Sequence, residues 1–73
     1  MIRVFVSFRR RAKRFKFSTD RDRLPSDIDY FGEWEIRNLE VLKETCKVLD
    51  ICGFAVCVDL GEFFYESTKE GHG

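Results

Sequence analysis

An α+β fold of order ββαββ, a small four-stranded antiparallel or mixed sheet with one amphipathic helix packed on one face, is what this sequence predicts. Three observations carry it. Residues 2–8 and 14–18 alternate apolar and polar side chains with the period of a strand. Residues 34–52 repeat apolar side chains at three- and four-residue steps, and residues 54–66 return to alternation. One helix laid across one face of a sheet buries both apolar surfaces at once. The chain has 73 residues, 44 % hydrophobic and 36 % charged. That composition suits one globular domain, expected over 1–66, with a flexible C-terminal tail over 67–73. A chain of this size buries only roughly 60 % of the surface its unfolded form exposes, so each core side chain counts.

In residues 2–8 (Ile-Arg-Val-Phe-Val-Ser-Phe), Val4, Val6 and Phe8 share one face; Arg3, Phe5, Ser7 and the following Arg9 share the other. Residues 14–18 set Phe15 and Phe17 against Arg14, Lys16 and Ser18. Pairing Phe8 with Phe15 and Val6 with Phe17 gathers the apolar side chains, and it places Arg9 beside Arg14 and Ser7 beside Lys16. The connecting Arg10-Arg11-Ala12-Lys13 has no Gly, Asn or Asp, so a four-residue loop is expected and not a tight primed turn. Residues 19–33 read as a long irregular connection punctuated by Pro25 and Gly32. A single helical turn fits after Pro25, with Ser26 as its cap.

From Trp34 to Cys52 the pattern is helical. Ile36, Leu39, Leu42, Cys46, Leu49 and Cys52 form a stripe that Val41, Val48 and Ile51 widen. Glu33, Arg37, Glu40, Glu44 and Lys47 form the opposite face, with Glu33 and Arg37 an i,i+4 ion pair. Gly53 is the expected left-handed stop. Beyond it, Phe54, Val56 and Val58 alternate to one side, Gly61 breaks the run, and pairing Val58 with Phe63 and Val56 with Tyr65 makes a second hairpin.

The sequence argues against several chemistries. Cys46, Cys52 and Cys57 are odd in number and lie in apolar stretches, where cysteine acts as a small hydrophobe; a reducing, cytoplasmic setting is expected. They form no CxxC pair, and the sole histidine, His72, sits between glycines near the chain end, so no metal site is expected. Asp27-x-Asp29-x-x-Gly32 begins like a calcium loop, but Phe31 and Asn38 stand where an oxygen ligand and a bidentate glutamate are needed. There is no Gly-rich phosphate loop and little interior to spare for a water-poor catalytic site. The expectation is therefore no enzymatic activity, no cofactor and no small-molecule substrate. No apolar run is long enough for a membrane span, and no secretory signal is expected.

Charge carries the functional signal. The formal net charge is zero, yet residues 1–23 hold nine basic and two acidic side chains (+7), and residues 24–73 hold four basic and eleven acidic ones (−7). Six of the basic groups fall within positions 9–16. Arginines and lysines in that density hold phosphates, and a ring among them offers a base something to stack on. The expected anion-binding residues are Arg3, Phe5, Arg9, Arg10, Arg11, Lys13, Arg14 and Lys16, and the expected partner is nucleic acid or a protein that handles it. The alternative is a stoichiometric protein-binding inhibitor or regulatory module, of the compact kind that phage regulatory and anti-defence proteins exemplify. It would act through an acidic loop and exposed aromatics: Asp27, Asp29, Tyr30, Phe31 and Phe64. Phe5 and Phe64 fall opposite the expected core, where two exposed rings make an interaction patch or a homodimer interface.

Overall fold

The alternation of the first eighteen residues resolves into strands β1 (Ile2–Arg9) and β2 (Arg14–Ser18) in the computed structural model, which describes residues 1–24, 29–61 and 63–67. The strands pair antiparallel with Val6 opposite Phe17, Phe8 opposite Phe15 and Arg9 opposite Arg14, the register that gathers the apolar side chains. Residues 10–13 form the loop. The Lys13 N–H donates to the Arg10 carbonyl (3.1 Å), and Lys13 itself takes a left-handed conformation, φ 48°.

The helix expected from Trp34 onward starts later, and a strand stands in its first part. Residues Tyr30–Ile36 form β3, and the helix α1 spans Leu39–Ile51. The misreading has a physical cause. Ile36 lies three residues before Leu39 and so joins the helical stripe, but Tyr30, Gly32, Trp34 and Ile36 also alternate with Phe31, Glu33 and Glu35. Pairing decides between the two periods: Ile36, Trp34 and Gly32 lie opposite Ile2, Val4 and Val6, which gives β1 a neighbour on its second side. Glu33 therefore forms no helical pair with Arg37; it lies 3.5 Å from Arg3 across the β1–β3 ladder. The helix begins where Asn38 caps it, its side-chain oxygen accepting from the Val41 N–H at 3.2 Å. Asn38→Ala is expected to cost about 1 kcal/mol, seen as a melting temperature lowered by about 4–8 °C with the fold retained by circular dichroism.

The C-terminal end of α1 is a Schellman motif. The Phe54 N–H reaches back to the Leu49 carbonyl (2.9 Å) and the Gly53 N–H to the Asp50 carbonyl (3.0 Å). Gly53 at φ 97° makes that possible, as the sequence led one to expect. The chain then enters β4 (Ala55–Asp59) and ends its regular structure in β5 (Phe64–Glu66). Here too the register differs, with Tyr65 opposite Val58 and Phe64 opposite Asp59. The turn lies one residue later than expected, the Leu60 N–H bonding the Phe63 carbonyl at 3.0 Å around Gly61 at φ 81°.

The sheet thus has five strands, not four, and is mixed, in the order β3-β1-β2-β4-β5. β4 runs parallel to β2 while every other pair is antiparallel. A parallel pair needs a long crossover, and α1 supplies it by carrying the chain from edge strand β3 past β1 and β2 to β4. The helix and the inward side chains enclose a core of Val4, Val6, Phe17, Ile36, Leu42, Cys46, Val56, Val58 and Leu60. Phe17 meets the Trp34 ring edge-on at 5.6 Å, and Phe8, Phe15 and Phe54 make a second aromatic cluster with centroids 4.6–5.8 Å apart. The apolar stripe of α1 is narrower than its sequence implies: Leu42 and Cys46 are buried, whereas Val48 and Ile51 are 56 % and 83 % exposed. One helix on a sheet makes one line of contact, and among the described residues no second element covers its flanks.

All three cysteines are free thiols. Burial pushes the Cys46 thiol up to about 11, which keeps it protonated and inert as a core side chain. No helix among the described residues is long and apolar enough to cross a membrane. Ser67, the first residue of the expected tail, donates its N–H to the Val56 carbonyl at 2.8 Å; the rest of that tail, like Asp27 and the helical turn expected after Pro25, lies outside the described residues.

Candidate anion-binding face

The face of the sheet turned away from α1 is built by the odd positions of β1 and the even positions of β2. Running along β1, Arg3, Phe5, Ser7 and Arg9 point there, with Ser18, Lys16 and Arg14 opposite the last three. β3 adds Glu35, Glu33 and Phe31, while β4 adds Asp59 and Cys57. The face is not bare. Ser7 and Ser18 are 1 % and 0 % exposed, because the segment after β2 folds back over them.

Three contacts hold that segment, whose short 3-10 turn spans Arg21–Arg23. The Ser18 hydroxyl oxygen accepts from the Asp20 N–H (3.0 Å), and Asp20 in turn caps the 3-10 turn by accepting from the Asp22 N–H (2.9 Å). The Arg21 guanidinium lies over the Phe31 ring, 4.7 Å from its centroid, and Phe31 stacks on Phe5 at 5.9 Å. Arg23 donates to the Asp59 carboxylate at 2.7 Å and lies 3.9 Å from Asp20. The Arg23 hydrogen bond, helped by the Gly61 backbone N–H, holds the Asp59 carboxyl below its usual range, and the same bond raises Arg23.

The sign of that shift fixes a pH dependence. A carboxyl whose pKa is lower folded than unfolded stabilises the fold above its unfolded value near 3.9 and stops doing so as pH falls through the folded one. The Arg23–Asp59 tie is thus fully present at neutral pH and lost in acid. Asp59→Ala removes it at any pH, and trypsin at neutral pH is expected to cut after Arg23 several-fold faster in this variant, with melting temperature nearly unchanged. Equal cutting rates would mean that the tie does not hold the segment down.

Between the segment and the strands lies a cavity of about 290 Å³ lined, among the described residues, by Ser7, Arg9, Arg14, Lys16, Arg23 and Leu24. Four of these six side chains are cationic. Arg9 and Arg14 stand directly opposite one another, and Lys16 stands opposite Ser7 on the same face. Among the described residues neither Arg14 nor Lys16 forms an ion pair. Burial raises the nearby Cys57 thiol, and Lys16 partly opposes that.

The residues singled out in the sequence divide into three groups. Arg9, Arg14 and Lys16 converge on the cavity, and Arg10, Arg11 and Lys13 are exposed in the loop next to it. Arg3 does not join them. It stands at the far end of β1, about 20 Å along the strand from Arg9 by strand rise, and faces Glu33. Phe5 is half-buried and already stacked on Phe31, so its ring is not a free platform. The acidic and aromatic set is split as well: Phe64 lies on edge strand β5, while Tyr30 and Phe31 lie on the opposite edge, β3. The Asp29 carboxylate is used internally, accepting from the Arg10 N–H at 2.6 Å. Sequence reasoning missed Ser7, Arg23 and Leu24. The signal available for them was the pair of small residues, Ser7 and Ser18, on a face otherwise carrying long side chains, which leaves a depression for another segment to fill.

A small α+β protein with a cationic concavity on the open face of a mixed sheet is the class these features define. Comparison of the chain with protein-family models, with curated proteins and with solved structures finds no match. Its chemistry is accordingly read from the geometry of this face.

Proposed function

We propose that this chain is a small non-enzymatic binding protein whose basic hairpin engages nucleic acid. The observation that carries the reading is the convergence of Arg9, Arg14 and Lys16 with the buried Ser7 on one concavity, beside a loop that exposes Arg10, Arg11 and Lys13. Like charges placed directly opposite across a ladder oppose folding. Arg14 and Lys16, which form no ion pair among the described residues, are the cations placed to hold an anion there. Phosphate is the anion such a cluster suits, since guanidinium forks and an ammonium match its oxygens. Among the described residues Arg14 and Lys16 form no ion pair, while Glu33 answers Arg3 and Asp59 answers Arg23.

The test is a salt-dependent titration of labelled single- and double-stranded RNA and DNA. With about five phosphates engaged, log affinity falls against log salt with a slope near −4 on duplex DNA. Absence of binding at low salt to every one of these probes would overturn the reading and direct attention to a protein partner.

A further inference from the structure

We infer that the cavity between the Arg21–Arg23 turn and the hairpin is a seat for one terminal phosphate monoester, the phosphorylated end of a nucleic-acid strand. This rests on the nucleic-acid reading above and specifies which part of the strand the cations of the cavity take. The cavity, at about 290 Å³, stands at the lower end of the roughly 300–1,000 Å³ typical of small-ligand clefts. It has room for a phosphate and the sugar that carries it, but none for the body of a duplex. Arg23 and Leu24 line it on the side away from the strands, and the Asp59 carboxylate holds Arg23 there. A small concavity overhung in this way receives a chain end more readily than the middle of a strand.

The charge argues the same way. An internal phosphodiester carries a single negative charge. A terminal monoester carries about −1.5 to −2 at neutral pH and offers three acceptor oxygens. The donors lining the cavity suit the second: the guanidinium fork of Arg14, the Lys16 ammonium and the Ser7 hydroxyl lie on one face within one register step of each other. Concentrating cations this closely gains most from a dianion. The exposed Arg10, Arg11 and Lys13 of the adjoining loop then attract the rest of the strand without regard to its end.

The experiment compares one short single-stranded oligonucleotide carrying a 5′-phosphate, a 3′-phosphate or hydroxyls at both ends, with inorganic phosphate and a nucleoside monophosphate as competitors. One of the phosphorylated strands is expected to bind about tenfold tighter than the hydroxyl strand, the gain that charge-assisted hydrogen bonds to one extra charge bring. Lys16→Gln and Arg14→Gln should each remove that difference, while Arg11→Gln weakens all strands alike and keeps it. Equal binding of all three strands would overturn the seat and leave the nucleic-acid reading standing. Binding of none would overturn both. Competition by inorganic phosphate as strong as that of the phosphorylated strand would also overturn it, by making free phosphate the ligand.

Discussion

Phe17→Ala is expected to cost about 3–5 kcal/mol and to leave the chain largely unfolded at physiological temperature. Phe17 is fully buried on β2, the central strand of the sheet, with Val6 on one side and Val58 on the other, both 0 % exposed. Its ring meets Trp34 from edge strand β3 and stacks near Phe15. Removing it opens a cavity bounded by rigid strands, which cannot close over the gap as a loop would. A domain of this size has a total stability of roughly 0.05–0.15 kcal/mol per residue, so the loss is comparable with the whole. Chemical denaturation followed by Trp34 fluorescence reads it directly. Phe64→Ala, at a ring that is 65 % exposed, is the control and should change stability by less than about 0.5 kcal/mol. A Phe17→Ala variant that unfolds in the same denaturant concentration as the parent would refute the packing described for the core.

What the sequence made legible follows from the range of the interactions involved. The β1–β2 register could be read because a short loop ties the strands together and only one pairing of Phe8, Phe15, Val6 and Phe17 keeps all four on one face. The end of α1 was legible because Gly53 has one local job. β3 was hidden by the coincidence of two periods around Ile36, and the discriminating residue was Asn38, a polar cap three residues before Val41. The parallel pairing of β2 with β4 had no local signature at all, since it depends on where α1 sets the chain down. The candidate site was half legible for the same reason. Arg9, Arg14 and Lys16 belong to one hairpin and could be placed together from its register. The wall of the cavity depends on Arg23 meeting Asp59, a pair 36 residues apart, and nothing in either neighbourhood announces the other. Arg3 was misplaced in the cluster because face was counted and distance along the strand was not.

Arg14→Glu is expected to separate stability from binding, and it is the sharpest test of why the cationic cluster exists. In the fold, Arg14 stands directly across from Arg9, an arrangement that is unfavourable by a few tenths of a kcal/mol up to about 1. Reversing one of the two charges converts repulsion into attraction. Because Arg14 is exposed, no core contact is lost, so thermal stability should hold or rise by up to about 1 kcal/mol. Binding should move the other way. The variant loses one phosphate contact and sets a carboxylate in the anion's path. Combined with Lys16→Gln, affinity for a short strand at low salt should fall about a hundredfold, and the salt slope should flatten by about 2. The two readouts together decide what either alone would leave open. Loss of affinity with loss of stability would mean that Arg14 serves the fold. Gain of stability with affinity and salt slope unchanged would mean that the opposed arginines hold no phosphate, and the proposed site would have to be given up. Stability gained with binding lost is the result expected of a surface that keeps an internal repulsion because a phosphate relieves it.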